Sequence, residues 1–94
     1  MSTLHAGEAW ALYLAFASEQ DPPLPSAPPL TVGHVMEYMF HLAVEHLTTD
    51  MMRVRLSAIS MAHAVRGLPD PVESPLVQAA IAACEWADAH PEHF

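Results

Sequence analysis

The residues whose types and spacing most suggest chemistry are Glu37, His41 and Glu45. Residues four apart lie on the same face of a helix, so these side chains would form an acid–imidazole–acid ladder. Histidine and carboxylate groups at this spacing can share a metal ion. The alternative is a solvated polar face, which we favour because the sequence offers no further fixed ligand. We therefore predict no metal and no cofactor.

The charge balance limits the classes of partner. The chain has 94 residues, with no lysine, three arginines and 11 acidic residues, and its formal net charge is −8. Affinity for nucleic acid comes largely from cations that neutralise phosphates. The average field of this chain therefore repels DNA. The seven histidines would reduce that field only at mildly acidic pH.

Composition predicts one folded domain, because 52% of the residues are apolar and only 15% are charged. The longest apolar stretches are far shorter than the roughly 20 residues that span a bilayer, so no membrane association is expected. The first residues show neither a basic region nor an apolar region typical of a secretory signal. Cys84 has no cysteine with which to pair, which suits a reducing compartment. A cytoplasmic location is expected.

Apolar spacing predicts an all-α fold of four helices. Residues suited to N-caps precede them: Thr3, Thr31, Thr48 or Thr49, and Ser74. Gly67 is predicted to end the third helix in a left-handed conformation. The five prolines within 21–30 exclude a continuous helix there and predict an extended strap across the surface. The predicted helices span roughly 4–19, 32–47, 50–66 and 75–89.

The third helix is predicted to be the central and most buried element, because apolar residues cover most of its circumference. One stripe consists of Met51, Val54, Ala58, Met61 and Val65, and a second consists of Met52, Leu56 and Ile59. On the second helix, Phe40 is assigned to the apolar stripe that begins with Val32 and Val35.

The segment from Arg55 to Ile81, RLSAISMAHAVRGLPDPVESPLVQAAI, combines a helix, a Pro/Asp connection and a Ser-capped helix. It resembles the core-binding domain of tyrosine recombinases of the phage-integrase type. The resemblance covers roughly Trp10 to Ile81 and also includes the aromatic first helix and the proline strap. It implies a compact four-helix, SAM-like bundle that binds duplex DNA during site-specific recombination.

The same resemblance implies which residues would contact DNA. In such domains basic and polar side chains of the third helix reach the duplex, and the matching residues are Arg53, Arg55 and His63. The sequence departs from the family at Val54 and Ala64, where the family often has arginine. Residues two apart on a helix differ by about 200°, so Arg53 and Arg55 cannot both face one flat partner squarely.

Catalysis is not expected. Recombinases of this family use a separate C-terminal domain that supplies an arginine–histidine cluster, a lysine and a nucleophilic tyrosine, whereas this chain has no lysine. His63 and Arg66 match the family's catalytic His-x-x-Arg pattern only superficially, because they directly precede the Gly-Leu-Pro-Asp-Pro motif of the core-binding portion. Tyr13 and Tyr38, without nearby arginines in the sequence, are predicted to be packing residues.

Two other hypotheses follow from the charge and the apolar content. The first hypothesis remains the DNA-binding module. The second is that the chain is an acidic protein-interaction module of the same fold lineage, which has itself lost DNA binding. It would then act as a regulator or antagonist of a nucleic-acid-binding protein. A basic partner would then meet acidic residues such as Glu37 and Glu45. The third hypothesis is a homo-oligomer with Trp86 as an exposed apolar anchor. The alternative for Trp86 is packing beneath the first helix.

Overall fold

The computed structural model describes residues 5–93, and in this part of the chain the regular elements are all helices, with no strand. It confirms the predicted all-α bundle of four α-helices. The predicted cap Thr3 lies outside the described residues. The α-helices are α1 (Ala6–Glu19), α2 (Val32–Val44), α3 (Thr49–Ala64) and α4 (Pro75–Ala89), and short 3-10 helices occupy Pro71–Glu73 and Pro91–His93.

Helices α2, α3 and α4 begin where side chains satisfy backbone N–H groups that have no partner within the helix. At α2 the cap is reciprocal: Thr31 Oγ1 accepts from the N–H of His34 at 3.1 Å, and His34 Nδ1 accepts from the N–H of Thr31 at 3.0 Å. Thr48 rather than Thr49 caps α3, since its hydroxyl accepts from the N–H of Met51 at 3.3 Å. Ser74 caps α4 as predicted.

The chain leaves α2 and α3 through the same kind of turn, with one residue in the left-handed region. After α3 this residue is Gly67, with φ of 66°, and the N–H of Leu68 donates to the carbonyl of His63 at 3.0 Å. After α2 it is His46, with φ of 62°, and the next N–H donates to the carbonyl of Leu42 at 3.2 Å. The bond pattern is that of a Schellman motif. The predicted role of Gly67 is confirmed.

The proline segment 21–30 is the predicted non-helical strap, and hydrogen bonds hold it against two helices. The Tyr13 hydroxyl of α1 donates to the carbonyl of Pro25 at 2.7 Å. At the far end, the N–H of Leu30 donates to Nε2 of His63 on α3 at 3.0 Å. The strap therefore fixes the start of α2 relative to both helices.

The core joins all four helices, the strap and the first 3-10 helix. Its largest wholly buried apolar side chains are Tyr13, Tyr38, Leu42, Met52, Leu56, Ile59, Val35 and Val77. The predicted α3 stripe of Met52, Leu56 and Ile59 is confirmed as buried. No helix within residues 5–93 has the length and apolar character required to cross a membrane.

As predicted, α3 has more buried residues than any other described helix, but only one of its two predicted apolar stripes is buried. Of the other predicted stripe only Ala58 is buried, whereas Met51, Val54, Met61 and Val65 are exposed. In a bundle of only four helices, each helix has neighbours on only part of its circumference. With four helices, nothing in the described chain covers the outer side of α3.

The assignment of Phe40 to the buried stripe of α2 is also wrong, because this side chain is 73% exposed. The buried stripe consists of Val35, Tyr38, Met39 and Leu42. Phe40 lies five residues after Val35, which places it about 140° away around the helix. It therefore points outward from the bundle.

Candidate functional site

Arg53, the first predicted DNA contact, is exposed but already paired with acidic side chains. Its Nη2 atom lies 2.6 Å from Oε1 of Glu85 on α4, and its Nη1 atom lies 3.9 Å from Oδ1 of Asp50. The hydrogen bond to Glu85 raises the pKa of Arg53 further. Two carboxylates thus neutralise this cation and leave the surface around it acidic.

Arg55, the second predicted contact, is half-buried and lies near Tyr38 of α2. Burial raises the pKa of Tyr38, and the charge of Arg55 partly opposes that rise. The guanidinium is near the phenol, but the two groups form no hydrogen bond. The Tyr38 oxygen is buried and has no hydrogen-bond partner in the described chain. Tyr38 is a packing residue, as predicted, and the fold brings Arg55 near it although no arginine is close in the sequence.

His63, the third predicted contact, is wholly buried. Its Nε2 atom accepts a hydrogen bond from the N–H of Leu30 at 3.0 Å. Its Nδ1 atom lies 2.8 Å from the carbonyl oxygen of Ile59, which requires the proton to be on Nδ1. Both ring nitrogens are therefore occupied inside the protein. The assignment of His63 as a DNA contact is corrected, because the ring would have to leave the core to reach a duplex.

The three residues that match the family's DNA contacts do not share one surface. Arg53 is tied to α4, Arg55 is directed towards Tyr38, and His63 is inside the core. The remaining arginine, Arg66, is exposed and donates to the carbonyl of Ala62 at 2.9 Å. The three arginines consequently belong to separate surroundings.

The acid–imidazole–acid ladder lies on the outer side of α2. His41 Nε2 is 4.0 Å from Oε1 of Glu45, and the His41 ring packs against Phe16 with ring centroids 4.6 Å apart. Glu37 is exposed. In the part of the chain that the structure describes, no three histidine, cysteine, aspartate or glutamate side chains are grouped as a metal site.

A groove runs between the end of α1, the start of the strap and the outer side of α2, with a volume of about 650 Å³. We name it the strap groove. Its apolar wall includes Phe40 and Val44, which are 73% and 58% exposed. Asp21 and Glu37 contribute carboxylates, and no arginine lines it. Sequence reasoning missed this groove because it placed Phe40 in the core; the angle of Phe40 to Val35 was the available signal.

Asp88 of α4 was also missed by sequence reasoning. Its Oδ2 atom accepts two hydrogen bonds from Thr49, from the N–H at 2.8 Å and from the hydroxyl at 2.6 Å. These bonds lower the pKa of Asp88. The carboxylate lies at the N-terminus of α3 but belongs to a different helix, so no local sequence motif predicts this contact. Its role is to join α3 to α4.

Trp86, the proposed anchor for self-association, is 49% exposed and is therefore not enclosed beneath α1. Its indole stacks on the His90 ring with centroids 4.1 Å apart. Exposed apolar residues also occur at the end of α3, where Met61 and the C-cap residue Val65 are both exposed. The described surface thus has several apolar areas, and the strap groove combines a concave shape with the exposed Phe40.

Comparison with protein-family models, with curated proteins and with solved structures found no match. The resemblance to recombinase core-binding domains therefore depends on the residues quoted for it. Functional assignment depends on the geometry described above.

Proposed function

We propose that this chain is a non-catalytic protein-interaction module that binds a basic protein partner. The observation that carries the proposal is the state of the three predicted DNA contacts. Arg53 is paired with Glu85 at 2.6 Å, Arg55 is half-buried near Tyr38, and His63 is wholly buried. Arg53 and His63 are thus already engaged within the protein, and Arg55 is only partly accessible to a phosphate.

Electrostatics favours a basic protein over DNA. Affinity for duplex DNA rises with the number of phosphates that cations neutralise. Arg53 would have to exchange Glu85 for a phosphate, and the net charge of −8 would oppose the approach of the duplex. The same charge attracts a basic protein and accelerates its association.

Exposed apolar side chains supply what a protein interface needs besides charge. Phe40 and Val44 are exposed one turn apart on α2, and Trp86 is half-exposed on α4. Aromatic side chains commonly contribute most of the binding energy at protein interfaces. An acidic surface with such residues suits a partner that presents both cations and apolar groups.

Duplex DNA binding, as part of a tyrosine recombinase, is the second candidate. It is favoured by the four-helix all-α architecture, which agrees with the fold that the resemblance implies. In that case another domain of a larger recombinase would provide most of the positive charge.

Fluorescence anisotropy of a labelled duplex distinguishes the two candidates. The protein is titrated at about 20 mM and then about 150 mM salt, because phosphate contacts weaken steeply over this range. We expect no binding at either concentration. Salt-sensitive binding that disappears in an Arg53→Ala/Arg55→Ala variant would replace our proposal with the recombinase function. The Arg66→Ala variant is the control for loss of one positive charge elsewhere.

The proposed function itself is tested by affinity capture from the source proteome, with mass spectrometry of the retained proteins. We expect a basic protein that remains bound at about 150 mM salt and elutes as salt is raised, because screening weakens complementary charge. A screen in which basic proteins are not enriched would count decisively against the proposal.

A further inference from the structure

Phe40 and Val44 form an apolar ridge on the outer side of α2. They are four residues apart on the same face of the helix, and they are 73% and 58% exposed. A helix that exposes two large apolar side chains towards a concave surface is typical of an interaction site. The ridge forms one wall of the strap groove.

The opposite wall of the groove is held in place before any partner arrives. Leu24 of the strap donates its N–H to the carbonyl of Ala17 at 3.1 Å, and Pro25 accepts from the Tyr13 hydroxyl at 2.7 Å. These bonds fix the strap against α1. A site whose walls are already ordered loses less conformational entropy on binding.

The charges around the groove select the partner. Asp21 and Glu37 line it, and Glu45 lies beside His41 at 4.0 Å. No arginine contributes to its lining. An apolar groove with carboxylates around it complements a segment that has apolar residues on one side and lysine or arginine beside them.

We propose that the strap groove is the docking site for a cationic amphipathic helix of the partner protein. This proposal rests on the proposed function and names the surface and the chemistry of that interaction. The apolar face of the helix lies along Phe40 and Val44, and its cations approach Asp21 and Glu37. A second copy of this chain is a poorer occupant, because each copy carries a charge of −8 and would bring acid against acid.

The probe is a labelled synthetic peptide of about 18 residues, long enough to form a helix on binding, with leucine on one face and lysine on the other. A scrambled peptide of the same composition and charge is the control. Binding is measured by fluorescence anisotropy at about 150 mM salt, and the site is mapped by amide chemical-shift changes. We expect the amphipathic peptide to bind at least about tenfold more tightly, because only its apolar face matches the groove.

Matched variants test the groove itself. We expect Phe40→Ser to weaken binding of the amphipathic peptide by about tenfold, as for an aromatic anchor. Val65→Ser, at an equally exposed apolar residue outside the groove, should leave affinity unchanged. Glu37→Gln should weaken binding by about threefold at low salt, whereas Glu73→Gln, at an exposed acid outside the groove, should have a smaller effect.

The outcomes separate the two proposals. Equal affinity for both peptides, no binding, or an unaffected Phe40→Ser variant would overturn the groove as docking site. Shift changes confined to Met61 and Val65 would also overturn it, but they would leave the protein-interaction function standing. Failure of the proposed function has a different signature, which is salt-sensitive binding of duplex DNA that depends on Arg53 and Arg55.

Discussion

His63 holds the end of the strap to α3, because its Nε2 atom accepts a hydrogen bond from the N–H of Leu30 at 3.0 Å. The opposite ring nitrogen engages the carbonyl of Ile59 at 2.8 Å. A backbone N–H that is buried without a partner destabilises the fold, and the ring prevents this at Leu30. A residue that resembles a DNA contact in the sequence is thus a structural link between strap and helix.

We expect His63→Ala to lower the free energy of unfolding by roughly 2–4 kcal/mol, through a cavity and an unpaired N–H at Leu30. His63→Gln should lose less, because an amide can replace one of the two hydrogen bonds. Urea unfolding followed by circular dichroism measures both. His5→Ala is the control, since His5 is exposed and its side chain makes no cap bond. Equal stability of His63→Ala and the wild type would refute the structural role.

The helices could be predicted from the sequence because their signals are local. Thr31 and Ser74 cap the helices that follow them, and Gly67 takes the left-handed position after α3. Each signal depends only on residues within one turn of the helix end. For the same reason all four helices were predicted at the correct places, and their predicted ends differ from the observed ones by at most a few residues.

The candidate site could not be predicted in the same way, because it depends on which helix faces are covered. The spacing of Val54, Met61 and Val65 indicates a stripe, but only the packing shows that this stripe is exposed. The pairing of Arg53 with Glu85 joins residues 32 apart in sequence, which no periodicity reveals. The net charge of the chain was a better guide to the character of its surface than the match of Arg53 and Arg55 to DNA-contacting positions of the family.

Asp88 is expected to make the protein less stable at acidic pH. Its hydrogen bonds to Thr49 lower its pKa in the folded state, so the folded protein keeps this group ionised at a pH where the unfolded chain binds a proton. The stabilisation is complete above the unfolded pKa, near pH 4, and is lost as pH falls through the lower folded value. We expect Asp88→Asn to reduce Tm at neutral pH and to flatten the acidic limb of a Tm-against-pH curve. Glu73→Gln should preserve that limb; an unchanged limb in Asp88→Asn would contradict the assignment.

The two left-handed turns predict opposite effects of exchanging residue types. Gly67→Ala places a side chain at φ of 66° and should destabilise the protein by about 1 kcal/mol, although the site has space for a Cβ atom. His46→Gly relieves the same conformational cost at φ of 62° and should stabilise it by about 0.5–1 kcal/mol. Chemical unfolding measures both. A loss of stability in His46→Gly would show that its side chain contributes more than its backbone conformation costs.

Burial of Tyr13 and Tyr38 predicts loss of stability at alkaline pH. Burial raises the pKa of Tyr13 to about 12 and also raises the pKa of Tyr38. The folded protein therefore retains phenolic protons that the unfolded chain releases near pH 10, so the tyrosine contribution to stability is constant below about pH 10 and falls as pH rises above it. Absorbance of the phenolate, recorded together with circular dichroism, should show ionisation and unfolding occurring together. Ionisation of all phenols near pH 10 in the folded state would contradict this.

Replacing each tyrosine by phenylalanine separates a satisfied hydroxyl from an unsatisfied one. Tyr13→Phe removes the hydrogen bond to Pro25 and should destabilise the protein by about 1 kcal/mol. Tyr38→Phe removes a buried oxygen that has no hydrogen-bond partner in the described chain, so stability should be equal or higher by up to about 1 kcal/mol. Urea unfolding at neutral pH compares the two. A larger loss of stability in Tyr38→Phe than in Tyr13→Phe would contradict this prediction. It would show that the Tyr38 hydroxyl forms a hydrogen bond with Arg55 in solution. Arg55 would then be held more firmly than its half-buried position indicates.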